Sequence, residues 1–410
     1  MADQACNADS SSDGSVPATS GEQRAPDGAA VTQADSAGLR RAGDILRAGG
    51  LVAFPTETVY GLGADASNAS AVARIFEAKG RPRFDPLIVH LASAEAAWAC
   101  AATVPTAARQ LAAAFWPGPL TLVLPRNKSA VADLVTAGLD TVALRVPGHP
   151  VARSLIESAG VAIAAPSANR FGGVSPTTAA HVAAEFPGGE ATGPKLILDG
   201  GPCETGVEST VISLTGDRPA VLRLGGLAVE QIEAVVGPVT VAGSTSRPGS
   251  DPESASKAAG ETANDAAPDS PPASPGMLDR HYAPSTRLAV VEAVTETVIE
   301  RYLATADHPG AGASESAPAD AAARSDPAGG AAPLGLLLFA ERPELAGLIH
   351  DHGLAVEVLS ERGEPREAAA RLFAAMRSLD ARGVRQIVAE WAPEHGLGRA
   401  INDRLKRAAR

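Results

Sequence analysis

Between residues 51 and about 241, short apolar runs alternate with stretches of helical spacing, and that alternation restricts the chain to an α/β architecture. LVAF (51–54), PLIVHL (86–91), LTLVLP (120–125), TVALRVP (141–147), VAIAAP (161–166), LILDGG (196–201), STVISL (209–214) and AVLRLG (220–225) are the strand candidates. The helix candidates lie at 69–79, 106–115, 149–159 and 177–185. Before them, GLRRAGDILRAGG (38–50) has the pattern of a short amphipathic helix stopped by two glycines.

Three stretches break the alternation. Residues 1–36 are Ser, Ala, Asp, Gly and Gln without periodicity and are expected to form a disordered tail. A Ser/Ala/Pro-rich linker is expected over 243–285, ending abruptly in PGMLDRHYAP (275–284), and a similar insertion near 305–332. A first domain is therefore placed at 37–242 and a second at 286–410. In the latter, TRLAVVEA, LGLLLFA, LAVEVLS and VRQIVAEW read as strands, and VTETVIERYLA, EAAARLFAAMRSLDARG and GRAINDRLKRAA as helices. Strands alternating with helices predict a small open parallel sheet of Rossmann type.

A net charge of −12 over 410 residues argues against a surface that grips nucleic acid throughout, but leaves room for a local basic pocket. Cys6, Cys100 and Cys203 show neither metal spacing nor an even-numbered framework, as expected in a reducing compartment. The polar N-terminal stretch has no apolar segment of signal-peptide type, and no apolar run approaches membrane-spanning length. The expectation is a cytoplasmic chain with no membrane association.

Several enzyme signatures are missing, among them GxxxxGK[ST], HExxH, GxSxG and paired CxxC. Gly61-Leu-Gly63-Ala-Asp-Ala66 matches a loose dinucleotide fingerprint. PTETVY separates it from the preceding strand, however, and the next helix starts too late for these glycines to open it. They are read instead as turn glycines below a packed helix.

PTETVYGLG (55–63) followed by KGRPRFDPLIVH (79–90) is a stronger cluster. Asn68 or Ser70 can cap the intervening helix, whose Val72, Ile75 and Phe76 form its buried stripe. Lys79, Arg81 and Arg83 then alternate in a turn fixed by Pro82 and Pro86. Such cations either compensate a helix dipole or form an anion pocket, and both readings stand. In TVALRVP, strand alternation sets Thr141, Ala143 and Arg145 on one face and Val142, Leu144 and Val146 on the other. The first face suits a carboxylate or phosphate, or is simply solvated. PSANRFGGVSPT (166–177) offers Ser167, Asn169 and Ser175 on a small-residue loop, and Ser209 and Arg223 stand at strand ends.

Taken in order, PTETVYGLG, KGRP with PLIVH, FWPGPLT, LRVP, PSAN with SPT, ESTV, RHYAP and EHGLGRAINDRLKRAA resemble the YrdC-like threonylcarbamoyl-adenylate synthases. The match is to their two-domain form with a C-terminal Rossmann-like domain. That resemblance implies a twisted mixed-sheet domain around a concave cavity plus a small parallel-sheet domain. It implies that L-threonine, bicarbonate or CO2 and ATP are joined with loss of pyrophosphate, the first step of threonylcarbamoyladenosine formation in tRNA.

Carried over motif by motif, the resemblance puts Thr58, His90, Arg145, Ala165 and Ser209 on threonine, with Thr56 and Tyr60 beside Thr58. It puts Arg81, Asp85, Thr141, Ser167, Asn169, Ser175, Arg223, His281 and Tyr282 on ATP. Lys79 and Arg81 are the candidate catalytic cations. Asp85 departs from the family's usual Asn, which leaves its contact with ATP in question. PGMLDRHYAP would fold back over the cavity and bring His281 and Tyr282 to the nucleotide.

The chemistry implied needs no covalent enzyme intermediate: a carbamate oxygen attacks the α-phosphate of ATP. Catalysis then rests on positioning and on cations facing the departing pyrophosphate. Mg2+ is expected to be held by ATP phosphates, with no protein metal site. The partners implied are ATP, L-threonine, bicarbonate and a downstream machinery that transfers the product to tRNA, with no stable nucleic-acid complex. Three other readings carry weaker sequence support. An RNA-binding module lacks aromatic stacking residues beside the basic turns. An NAD(P)-linked oxidoreductase lacks a glycine fingerprint in the second domain. The carbamoyl-phosphate chemistry of larger hydrogenase-maturation proteins goes with zinc-finger cysteines that this chain does not have.

Overall fold

The computed structural model describes residues 29–187, 192–242, 281–306 and 332–410. The tail over 1–28, most of the linker with Met277–Arg280 of PGMLDRHYAP, and the insertion over 307–331 lie outside them.

The first domain is built on an eleven-stranded mixed sheet. In chain order its strands are β1 (Ala30–Gln33), β2 (Val52–Phe54), β3 (Gly61–Asp65), β4 (Ile88–His90), β5 (Leu120–Pro125), β6 (Thr141–Arg145), β7 (Ile163–Ala164), β8 (Leu196–Asp199), β9 (Thr210–Ser213), β10 (Ala220–Arg223) and β11 (Thr240–Val241). Across the sheet they run β1-β8-β2-β3-β7-β4-β6-β5-β9-β10-β11. Parallel and antiparallel pairs are mixed, and several neighbours in the sheet, such as β1 with β8, β3 with β7 and β5 with β9, are distant in sequence. Helices α1 (Ser36–Arg47), α2 (Ala69–Lys79), α3 (Ala94–Ala99), α4 (Thr106–Phe115), α5 (Pro150–Ala159), α6 (Ala179–Glu185) and α7 (Val229–Val236) complete the domain.

Local chemistry sets these boundaries. Asn68 caps α2 by accepting from the Ala71 N–H at 3.1 Å, and left-handed Gly80 (φ 62°) ends it. Val72, Ile75 and Phe76 enter the main core with Val142 and Leu144 of β6. On the opposite face Ala143 joins Ile88, Val123 and Val211, so the alternation read from TVALRVP holds.

Two expectations need correcting. Ala30–Gln33, within the expected tail, forms β1 and pairs with β8 in parallel register. Its burial is partial, which is why AVTQ carries so little apolar signal. Gly61 and Gly63 are not turn residues: they lie inside β3, between β2 and β7. A Cβ on Gly63 would sit 2.7 Å from Ile163 Cγ2 and 2.8 Å from Phe54 Cε1. These glycines let side chains cross the sheet closely, and neither opens a helix.

The second domain carries a four-stranded, all-parallel sheet of order β12-β15-β13-β14, as expected for a Rossmann-like unit. Its strands are β12 (Arg287–Val291), β13 (Gly335–Ala340), β14 (Ala355–Ser360) and β15 (Gln386–Glu390). Helices α8 (Glu296–Ala306), α9 (Ala346–Asp351), α10 (Pro365–Ala381) and α11 (Gly398–Ala408) flank it. Val207 and Tyr282 share a buried cluster with Leu372, Phe373, Ile401 and Leu405. At Gly206 (φ 72°) a Cβ would lie 2.4 Å from Ala369 O and Ala370 Cα of α10, so only glycine permits this approach. Arg377 of α10 adds an ion pair to Glu185 of α6 at 2.6 Å.

Gly63→Ala is expected to destabilise the chain by about 1–3 kcal/mol, the usual cost of overpacking a full core. Gly347→Ala, in helix α9 with open space around its Cα, is expected to be neutral or slightly stabilising. Urea unfolding midpoints of the two variants check both; equal midpoints would remove the packing argument for Gly63.

Candidate active site

A partly open cavity lies where the strand-end loops of the first domain converge. Its floor includes Ile88 and His90 of β4 and Arg145 of β6, which face one another in parallel register. One wall is the loop from β2 to β3, a second the loop after β7, and a third the segment 208–209 with Arg223 of β10. His281 and Tyr282 complete the rim.

The β2–β3 loop is fixed by its own hydroxyls. Thr56 Oγ1 donates to Val59 O at 2.7 Å and accepts from the Thr58 and Val59 N–H groups, both at 3.2 Å. With its only proton committed there, its 2.7 Å contact to Thr58 Oγ1 makes Thr58 the donor. Thr58 Oγ1 then accepts from Arg145 Nη2 at 3.0 Å. Arg145 also donates to Glu57 Oε1 at 2.6 Å, and Glu57 Oε2 accepts from the Gly148 and His149 N–H groups at 2.9 and 3.3 Å. Glu57 therefore aims the guanidinium. Sequence reasoning passed over it; an acid between two hydroxyls in a loop otherwise facing cations was its only signal.

His90 is buried and its Nδ1 has no hydrogen-bond partner. Burial, and then the Arg145 charge, push its pKa down to about 3, so it faces the cavity as a neutral imidazole. An orphaned polar atom at a cavity floor is a place for a ligand group.

On the other side Arg81 donates from Nε to Asp85 O at 3.2 Å and from Nη2 to Pro86 O at 2.9 Å. Its Nη2 lies 2.9 Å from Asp85 Oδ2, with both side chains buried. Burial lowers the Arg81 pKa, and burial raises that of Asp85 against the pull of Arg81, Lys79 and Arg223. Asp85 is thus the local counter-charge of Arg81 and does not line the cavity. Arg83 points outward and is exposed, so the cation cluster contains two of the three residues that alternate in sequence.

Lys79 lies one layer behind the wall. Its amine donates to Ser167 O at 2.7 Å and to Asn169 O. Burial, then the neighbouring Arg81, lower its pKa to about 7. Asn169 Nδ2 holds Arg170 O at 2.6 Å and Gly173 O at 2.8 Å, and its Oδ1 accepts from Ser167 Oγ at 2.6 Å. Ser175 Oγ donates to Glu208 Oε1 at 2.5 Å. Arg223 Nη2 donates to Ser209 O at 2.9 Å and Ser209 Oγ at 3.1 Å, and Ser209 shares a 2.8 Å hydroxyl contact with Thr121.

His281 and Tyr282 are both buried, with ring centroids 4.0 Å apart. His281 packs edge-on to Phe171, and Ala283 N–H donates to Gly172 O at 2.9 Å. Tyr282 has φ 65°, rare for a non-glycine residue, and its ring stacks on Phe373 of α10. Burial, then the positive charge of Arg81 and its neighbours, keep the His281 pKa well below the ordinary value.

Of the residues singled out from sequence, Thr58, Arg81, His90, Arg145, Ala165, Ser167, Ser209, Arg223, His281 and Tyr282 surround one cavity. Lys79, Asp85, Asn169 and Ser175 support its wall from behind. Thr141 is not brought to it: it sits opposite Pro125 at the far end of β6, about 13 Å from Arg145 at ordinary strand rise. Tyr60 turns into the main core and donates to Gly201 O at 2.8 Å, so it does not line the cavity either. Glu208 does line it and was missed, since nothing in ESTV shows what faces the carboxylate.

Residues 44–225 match the family model described as "Telomere recombination", and residues 227–410 match the model of the threonylcarbamoyl-AMP synthase C-terminal domain. The threonylcarbamoyl-AMP synthase of Pyrococcus abyssi is 41% identical, over 90% of this chain and 94% of its own. That of Bacillus subtilis is 40% identical, over 90% and 92%. The crystal structure of P. abyssi Sua5 complexed with L-threonine superposes with a TM-score of 0.72 at 40% identity, covering 92% of this chain and 96% of that one. The order of the motifs, the two sheets and the similarity along both domains lead to one conclusion: the chain belongs to the threonylcarbamoyl-AMP synthase family.

Proposed function

We infer that this cavity is where the chain makes threonylcarbamoyl-AMP from L-threonine, bicarbonate or CO2 and ATP, the first step of threonylcarbamoyladenosine formation in tRNA. The observation that carries the reading is the convergence of Arg81, Arg145 and Arg223 on one cavity together with the orphaned Nδ1 atoms of His90 and His281. Anionic substrates with several acceptors answer that arrangement.

Arg145, aimed by Glu57 and Thr58, takes the threonine carboxylate, with His90, Ala165 and Ser209 around the amino acid. Arg81 and Arg223 face the phosphates. Ser167 presents its loop to the nucleotide, while Asn169 and Ser175 hold that wall in shape. His281 and Tyr282 cover the nucleotide and keep water from an adenylate that hydrolyses easily. For Thr141 to touch ATP, the adenosine end would have to extend along β6 away from Arg145.

The chain's part in the reaction is orientation and charge. Threonine's amine becomes a carbamate, its oxygen attacks the α-phosphate, and pyrophosphate leaves toward the cations. The carboxylates nearest the cavity, Glu57, Asp85 and Glu208, are each engaged by an arginine, which leaves poor ligands for a protein-held metal. Mg2+ would come with ATP, on its phosphates. Among the described residues no helix is long and apolar enough to cross a membrane. A cytoplasmic location fits an ATP-consuming reaction, and a separate machinery would pass the product to tRNA.

Pyrophosphate release from ATP is expected to require threonine and bicarbonate together. Equal release without threonine, or ADP as the product, would count against the reading. Arg145→Ala is expected to weaken threonine about ten- to a hundredfold and ATP far less, and Arg81→Ala the reverse, each losing a charge-assisted bond of about 1.5–3 kcal/mol. Calorimetric titration of both ligands against both variants tests the split, and normal threonine binding by Arg145→Ala would refute the assignment.

Lys79 gives a pH signature. Its amine titrates near 7 because burial and Arg81 disfavour its charge, despite Glu185 and Asp85 nearby. Phosphates brought close favour the charged form and raise that pKa. ATP binding at pH 8 should therefore take up a proton, and ATP affinity should fall as pH rises from 7 to 9. Titrations in buffers of different ionisation enthalpy measure the uptake. Lys79→Arg, which keeps its proton throughout, should abolish it; unchanged uptake in that variant would exclude Lys79 as its source.

A further inference from the structure

Arg404 of helix α11 is completely buried, and all three guanidinium nitrogens are committed. Nε donates to Glu208 Oε2 at 2.8 Å, Nη2 to Leu224 O at 2.8 Å, and Nη1 to Asp403 Oδ2 at 2.5 Å. Its face lies over the Tyr282 ring, 4.7 Å from the centroid. Asp403 is held in turn by Arg407 one helical turn on, at 3.0 Å, so the fork is anchored to its own helix.

Each group that Arg404 grips outside its own helix is the chain neighbour of a residue lining the cavity. Glu208 precedes Ser209, Leu224 follows Arg223, and Tyr282 follows His281. Three cavity segments that come from separate parts of the chain are therefore tied to one side chain of the second domain. Glu208 needs this partner. Burial pushes its carboxyl up, but Arg404 and Arg223, with hydrogen bonds from Ser175 and Arg404, hold it below the usual carboxylate range. As a carboxylate it fixes Ser175 and balances Arg223. The preceding residues are seated on the same domain, through Gly206 against α10 and Val207 in the shared core.

We propose that Arg404 is a positioning residue of the synthase: from the C-terminal domain it sets Glu208, Arg223 and the His281–Tyr282 pair in register for the nucleotide, without touching substrate. A planar fork can serve an acid, a carbonyl and a ring at once; a lysine amine cannot. The second domain is on this account part of the ATP subsite. The inference rests on the assignment of Arg81, Arg223, His281 and Tyr282 to ATP.

The test uses the full chain and separate calorimetric titrations of MgATP and of L-threonine. Arg404→Met is expected to weaken MgATP at least tenfold and threonine markedly less, since Glu57, Thr58 and Arg145 have no contact with Arg404 and only Ser209, the neighbour of Glu208, links it to the threonine side. Adding Glu208→Gln to Arg404→Met should recover part of the MgATP affinity, because the carboxylate that lost its partner is removed. Arg404→Lys, which keeps the charge, should still weaken MgATP several-fold. Parental MgATP affinity in Arg404→Lys or Arg404→Met would overturn the proposal, and so would equal losses for both ligands. If the parent chain itself binds no MgATP, the ATP assignment fails first, independently of Arg404.

Discussion

Four cationic side chains, Lys79, Arg81, Arg145 and Arg223, are crowded into or just behind one cavity and nearly removed from water. Burying a charge without a partner costs several kcal/mol, so a basic cavity can exist before substrate arrives only if the protein supplies counter-charges of its own. It supplies three: Asp85 for Arg81, Glu57 for Arg145, and Glu208 between Arg223 and Arg404. Lys79 is met differently, by two backbone carbonyls and a pKa near neutrality. Glu57 and Glu208 each spend their second oxygen on fixing something else. Glu57 binds the start of the segment after β6 and Glu208 binds Ser175, so charge compensation and loop placement are one act.

The mixed sheet is what allows these pairs to meet. Arg145 and Glu57 are 88 residues apart in sequence, and Arg404 and Glu208 are 196 apart. A sheet in which several neighbouring strands come from distant segments brings their end loops to one side without long excursions. The glycines of β3 serve the same end. With no Cβ they let Phe54 and Ile163 fill the sheet beside the cavity floor, and Phe54 in turn meets the His90 ring edge-on at 6.1 Å. A fingerprint-like string of glycines here is a packing device, which accounts for its false likeness to a dinucleotide loop.

Much of this was legible in the sequence where the signal was local. The α2 cap at Asn68, the stripe of Val72, Ile75 and Phe76, and the two faces of β6 follow from spacing alone. So does the all-parallel second sheet, from strands alternating with helices. Failures came where an element carries little apolar signal, as with AVTQ of β1, or where glycine has two uses, as at Gly61 and Gly63. Arg83 alternates with Arg81 in sequence yet faces solvent, because the turn around Pro82 has no strand-like period. Glu208 and Arg404 could not be found by any local rule. Each is an ordinary charged residue until its partner, far along the chain, is placed beside it.

A domain joined only to hand on a product would not need to bury an arginine inside its neighbour, since the desolvation is large and a rim contact would suffice for docking. Arg404 is buried because its targets, Glu208 and Tyr282, are themselves buried at the cavity wall. Tyr282 holds a left-handed backbone conformation, and its ring meets both Phe373 and Arg404 of the second domain. The ring therefore ties the cavity rim to the core of the second domain, so the cavity wall is built by both domains.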